Sequence, residues 1–143
     1  MIIEKVFVDA NVIIDLFEDR TNSHYSISAI EKLLKLGVEL FTSCDLITTI
    51  YYVLSKVNKE KALNYIEDSM SVFTLIPFSN KEVIEAVSLM KSNSNFKDLE
   101  DTIQYVLAKK EKCDLILTND KRFFSPDIKI FTAKEVCEDL GIK

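Results

Sequence analysis

A three-layer α/β/α sandwich around a central, mainly parallel β-sheet is the fold the sequence predicts, as one domain over residues 1–143. Three observations point there. Short apolar runs alternate with longer stretches of helical period, as βα units do. Two glycines and two prolines are too few for a turn-dense β-sandwich, a collagen-like segment or a disordered linker. A chain of 143 residues, 48% hydrophobic and 29% charged, suits one core of an ordinary soluble globular protein.

Each element follows in turn. Val6-Phe7-Val8 reads as the first strand, closed by Asp9. Ile27, Ile30, Leu33 and Leu34 recur at helical spacing, in a helix opened by Asn22 or Ser23 and stopped at Gly37. Val38 to Phe41 is the second strand. From Asp45 as N-cap, Leu46, Ile50, Val53, Leu54 and Val57 form an apolar stripe. Asn58 caps another helix bearing Ala62, Leu63 and Ile66, and Val72 to Ile76 is a strand ended by Pro77. Ser79-Asn80-Lys81-Glu82 is a capping box ahead of Val83, Ile84, Val87 and Met90, with Asn93-Ser94-Asn95 a loop after it. Asp98 to Lys112 is helical, with Leu99, Ile103, Val106 and Leu107 expected on its buried face. Leu115-Ile116-Leu117 has the continuous apolar character of a central parallel strand covered on both sides. Ile128 to Phe131 is the last strand, followed by a second capping box, Thr132-Ala133-Lys134-Glu135.

Composition removes several functions. With only Gly37 and Gly141, neither GxGxxG nor GxxxxGK[ST] can be written. One histidine, His24, excludes HExxH and Cys2His2 metal sites, and its setting at a helix start suits a polar surface residue better than a catalytic triad. Cys44, Cys113 and Cys137 are odd in number, lack CxxC spacing, and read as buried thiols of a reducing compartment. The formal net charge of −5 argues against a general nucleic-acid coat, though not against a local basic rim. The N-terminus is broken by charge too often for a signal peptide, and no run approaches the roughly 18 apolar residues of a membrane span. A cytoplasmic protein without membrane contact is expected.

Ligands of open parallel sheets bind beyond the carboxyl ends of the strands. Asp9 follows the first strand directly, and Asp120 stands three residues beyond Leu117. Asp98 and Asp101, at i and i+3, share a face of the first turn of the helix feeding that strand. Each acid alone has a structural explanation as a strand end, cap or dipole-complementing residue. Four on one rim converge into a carboxylate cluster that needs a counter-charge. Without histidine or cysteine partners, a hard divalent cation with oxygen ligands is that counter-charge.

At this point the chain resembles the PIN-domain nucleases over nearly its whole length. Val6-Phe7-Val8-Asp9-Ala10-Asn11 is similar to that family's opening strand and metal-binding acid with its small polar follower. Asp98-Leu99-Glu100-Asp101 resembles the DxED helix start of one bacterial branch, and Leu115-Ile116-Leu117-Thr118-Asn119-Asp120 with Phe123 resembles the last motif. The resemblance implies a Mg²⁺- or Mn²⁺-dependent endoribonuclease acting on single-stranded RNA and leaving 5′-phosphate and 3′-hydroxyl ends. It also implies a toxin of a toxin–antitoxin pair, with an antitoxin and a second copy as partners. Asp9, Asp101 and Asp120 would hold the metal, with Asp98 as a fourth catalytic acid.

Asn11, Thr49, Thr118 and Arg122 would position water or substrate, and Lys121 and Arg122 would meet the RNA backbone; Lys56, Lys59 and Lys61 are further candidates for that contact but fit a solvated face better. One departure stands out: Thr49 occupies the place, after the second strand, where the family carries a further acid. Asp98 is the expected replacement, and Glu100 a solvated acid pointing further round the helix. Tyr51, Tyr52 and Tyr65 suit a surface where a partner docks, with at least one of them expected to be core instead. The competing readings are a PIN-like RNA- or protein-binding module with a weakened metal site, and a haloacid-dehalogenase-like phosphatase. The latter needs DxDxT where this chain has Asp9-Ala10-Asn11-Val12-Ile13.

Overall fold

The computed structural model describes residues 2–139. Five parallel strands, β1 (Lys5–Val8), β2 (Glu39–Ser43), β3 (Thr74–Ile76), β4 (Leu115–Leu117) and β5 (Lys129–Phe131), lie in the order β3-β2-β1-β4-β5. Helices α1 (Ala10–Asp15), α2 (Ser23–Lys35), α3 (Leu46–Ser55), α4 (Lys59–Val72), α5 (Asn80–Ser92), α6 (Leu99–Lys110) and α7 (Ala133–Asp139) make the connections. The predicted sandwich is the one observed. β1 is the hub: Phe7 pairs with Phe41 on one side and Ile116 on the other. Val6, Phe7, Val8 and Leu115 to Leu117 have no exposed surface, as a doubly covered sheet demands.

The pairing also fixes the rim. Val8 lies opposite Leu117, and the Asp9 N–H donates to the Leu117 carbonyl at 2.9 Å, carrying the ladder one residue further. Asp9 and Thr118 therefore emerge side by side at the carboxyl edge.

Several expectations change. The short helix α1, unread in the sequence, starts directly after β1, because the Asp9 carboxylate accepts the Ala10 N–H and caps it. In α2 the buried face is Ser23, Ser26, Ala29, Ile30 and Leu33, while Ile27 and Leu34 are exposed. Ser26 is drawn in to donate to buried Asp15 at 2.7 Å, which rotates the expected stripe. Asn22 makes no side-chain cap; it takes the left-handed conformation at φ 69°. Asp45 is not a side-chain cap either: its backbone is helical and its carboxylate takes the Ser43 hydroxyl. Val72 belongs to α4 rather than to a strand. Val57, Leu63, Ile84, Val87 and Leu99 are exposed although periodicity assigned them inward. Cys44 is exposed, unlike buried Cys113, and all three thiols are free.

Other local readings hold. Asn58 accepts from the Lys61 N–H at 2.9 Å, and Gly37 closes α2 at φ 74°. The second capping box is complete: Thr132 N–H to Glu135 Oε1 at 2.9 Å and Glu135 N–H to Thr132 Oγ1 at 3.2 Å. His24 is exposed, its ring tilted against that of Tyr25. Among the described residues, no helix is long and apolar enough to cross a membrane.

Candidate active site

Asp9 is the deepest of the rim acids, only 6% exposed. Its Oδ1 accepts the Ala10 N–H at 2.7 Å, and its Oδ2 accepts the Thr118 hydroxyl at 2.8 Å and Asn11 Nδ2 at 3.2 Å. Asn11 also ties the β4 loop to α1, since its Oδ1 accepts the Asn119 N–H at 3.1 Å. The Asp9 carboxylate thus has one orientation and only uncharged donors. Burial pushes its pKa up; the Thr118 and Ala10 donors and the nearby Gln104 amide offset part of that, and the Asp120 charge adds to it.

The start of α6 brings the next acids. Asp98 caps the helix by accepting the Asp101 N–H at 2.9 Å. Asp101, half-buried, has its carboxyl pushed up to about 7, first by burial, then by the charges of Asp9, Asp98, Asp120 and Glu100. From the loop after β4, Asp120 joins them, its Oδ1 accepting Arg122 N–H at 3.0 Å and Nε at 3.3 Å. The structure thus brings Asp9, Asp98 and Asp120 within electrostatic reach of Asp101, on the rim where the sequence placed them. Arg122 leans on Asp120, with its side chain 92% exposed.

Three further residues bear on the rim. Glu100, read as a solvated acid, is surface-exposed yet has its carboxyl pushed up by partial burial and by Asp45, Asp9 and Asp98. Asp45 is one of those charges; it lies one helical turn before Thr49, at i and i+4 on α3. Negative charge therefore sits near the place where Thr49 supplies none. Gln104, on α6 one turn after Asp101, is 1% exposed and contributes to holding Asp9 down. Nothing in the sequence distinguishes Gln104 from a solvent-facing helix residue.

All of these donors are oxygens, and their mutual repulsion leaves a surplus of negative charge that a hard cation fits. Among the described residues, no three acids, histidines or cysteines are drawn tightly enough to grip an ion directly. A cation that keeps several of its own waters, as Mg²⁺ does, suits carboxylates at this looser spacing.

Two hollows flank the acids. One, of about 900 Å³, is bordered by Asp15, Arg20, Tyr25, Asp120, Lys121 and Lys134. The other, of about 630 Å³, is bordered by Lys97, Asp98, Asp101, Asp120, Lys121 and Phe124. Asp120 and Lys121 form the ridge between them. Lys134 lies over the Tyr25 ring at 5.8 Å in the first hollow, and Lys97 and Phe124 line the second, so each offers both a cation and an aromatic wall. Lys56, Lys59 and Lys61 border neither.

Comparison with known proteins gives a consistent answer. Residues 6–129 match the PIN domain family. The chain is 57% identical over 136 residues to ribonuclease VapC1 of Aquifex aeolicus, covering 94% of each protein. Among solved structures it resembles VapBC2 of Rickettsia felis bound to a promoter DNA fragment (TM-score 0.68, 19% identity, 90% of this chain and 98% of that one). It also resembles the sarcin-ricin loop cleaving toxin VapC20 of Mycobacterium tuberculosis (TM-score 0.62, 12% identity, 86% and 92%).

Proposed function

The chain belongs to the PIN domain family, and from that premise we propose that it is a Mg²⁺- or Mn²⁺-dependent endoribonuclease, the toxin of a toxin–antitoxin pair. The observation that carries this reading is the gathering of unpaired acids on the rim: a buried Asp9 held only by neutral donors, beside a half-buried Asp101 whose carboxyl is pushed up to about 7 by burial and then by its acidic neighbours. The 57% identity to a ribonuclease supports the reaction. Asp9, Asp101 and Asp120 would hold the cation, with Asp98, Glu100 and Asp45 adding to the field that attracts it. When bound, the cation supplies charge neutralisation on the phosphate and a water of lowered pKa.

The chain's own residues do the rest. Thr118 and Asn11 hold the Asp9 carboxylate in one rotamer rather than reaching for substrate, since both already bond to it. Lys121, on the ridge, meets the phosphate backbone of single-stranded RNA, with Lys97 and Lys134 on either side. Tyr25 and Phe124 give bases a surface to stack on. Arg122 reaches out beside Asp120 to the same backbone. The exposed Tyr52, Val57, Leu63 and Met70 of the α3–α4 hairpin offer an apolar surface to the antitoxin or to a second copy. A cytoplasmic site of action accompanies this reading.

The second reading, a binding module with a weakened metal site, has Thr49 and the loose spacing of the acids in its favour. Incubation of the purified protein with single-stranded RNA, in chelator and in Mn²⁺, separates the two. Cleavage that requires Mn²⁺ and vanishes in Asp9→Asn is the expected result. RNA retention without cleavage, in a protein that Mn²⁺ still stabilises, would establish the binding module. Cleavage undiminished in chelator would overturn metal dependence.

A further inference from the structure

Gln104 shares a face of α6 with Asp101, at i+3, and its side chain is 1% exposed. Among the described residues, neither its Oε1 nor its Nε2 has a hydrogen-bond partner. A primary amide stripped of water on both its donor and its acceptor side is unfavourable, and an apolar residue of like volume would pack there at no such cost. The amide does not lie in a purely apolar pocket. It lies near enough to Asp9 to offset part of the effect of burial on that carboxyl, although neither amide atom has a partner in hydrogen-bond geometry. Asp9 already accepts from Ala10, Thr118 and Asn11, and among the described residues no group completes the hydrogen bonds of the Gln104 amide.

We propose that Gln104 is a positioning residue of the metal site, its amide pairing with a water of the cation held by Asp9 and Asp101. This rests on the metal-dependent reading above. A group with one donor face and one acceptor face can orient a bound water and the adjacent carboxylate together, and outer partners of this kind tune metal affinity. The burial of an orphaned amide is then the cost in the metal-free protein of a partner that arrives with the ion.

Gln104→Met, with Gln104→Leu as a second shape should the first misfold, tests this by effects of opposite sign. Losing the orphan should raise the melting temperature in chelator by about 2–6 °C. Affinity for Mn²⁺ alone, by calorimetry, should weaken ~10-fold or more, and kcat for RNA should fall while KM stays. A variant that melts higher yet binds Mn²⁺ as the wild type does, with unchanged kcat, would overturn the assignment and make Gln104 a packing defect. Lower melting in chelator would also overturn it, by showing that the amide is satisfied within the protein. A wild-type protein that takes up no Mn²⁺ would overturn the metal reading itself, and this assignment with it.

Discussion

Two buried carboxylates stand at opposite ends of α1 and are treated in opposite ways. Asp15 and Asp9 are each only 6% exposed. Asp15 has a guanidinium: Arg20 reaches it at 2.6 Å through Nη2 and 2.8 Å through Nε, with the Ser26 hydroxyl at 2.7 Å and Asn119 Nδ2 at 3.3 Å. Asp9 has an amide N–H, a hydroxyl and a side-chain amide, and the charges that bear on it come from other acids. A buried charge is normally paired. The fold does so at Asp15 and withholds the pair six residues earlier, on the rim where strands end. The difference marks Asp15 as a structural device and Asp9 as half of a site completed from outside.

The largest effect should come from breaking the open half. Asp9→Asn keeps the shape and the Ala10 contact but removes the charge, so RNA cleavage in Mn²⁺ should fall by roughly 10²–10³-fold or more. In chelator its stability should hold or rise, because a desolvated carboxylate has been neutralised. Asp15→Asn inverts this pattern. It leaves the Arg20 guanidinium without its partner and should destabilise the fold by about 2–4 kcal/mol in urea melts, equally in chelator and in Mn²⁺. If the two variants behaved alike in both buffers, the contrast between the two ends of α1 would carry no functional meaning.

The comparison also explains what the sequence could and could not disclose. Strand ends and helix starts are local signals, so Asp9, Asp98, Asp101 and Asp120 were legible, as were the continuous apolar runs of β1 and β4. The helix α1 was not: Val12-Ile13-Ile14 is a β-branched run that suits a strand, and the deciding contact is the Asp9 cap. The face of α2 was misplaced because a serine is buried for the sake of Asp15, an interaction between distant residues that periodicity does not encode. Gln104 and Glu100 stayed hidden for a related reason. Polar residues on a helix are assigned to solvent unless a partner is known, and here the partner is a carboxylate cluster assembled by the sheet.

Asp101 sharpens the contrast through pH. Its folded-state carboxyl is raised to about 7, so the folded protein holds this proton more tightly than the unfolded chain does. The associated stability is fully present below the unfolded carboxylate range and is lost as pH rises from about 4 through about 7. In chelator, melts of the wild type should therefore show a decline across that window that is smaller in Asp101→Asn, where only the raised carboxyls of Asp9 and Glu100 remain. Mn²⁺ affinity should climb through the same window, since the cation competes with the proton. If Asp101 only complemented the helix dipole, the variant would instead lose ~0.3–1 kcal/mol at neutral pH with or without metal, and would still cut RNA.

The smallest expected effect concerns Thr49, and it asks whether the open half can be made more acidic. Thr49→Glu places a carboxylate one turn after Asp45 on α3, a like-charge pair at i and i+4 that should reduce stability in chelator by about 0.2–0.5 kcal/mol. If that face looks onto the rim, the added ligand should tighten Mn²⁺ binding, because a cation relieves the new repulsion along with the old. The gain should be several-fold rather than orders of magnitude, since Asp45 already bears on Glu100 and supplies part of the field. Calorimetric titration reads both the affinity and its sign. Unchanged affinity in Thr49→Glu, with a clear loss in Asp45→Asn, would assign the negative charge at the start of this helix to Asp45 alone and leave position 49 outside the site. Weaker binding in Thr49→Glu would mean that the glutamate displaces the metal's own waters, and that the loose spacing of the acids is itself what the site requires.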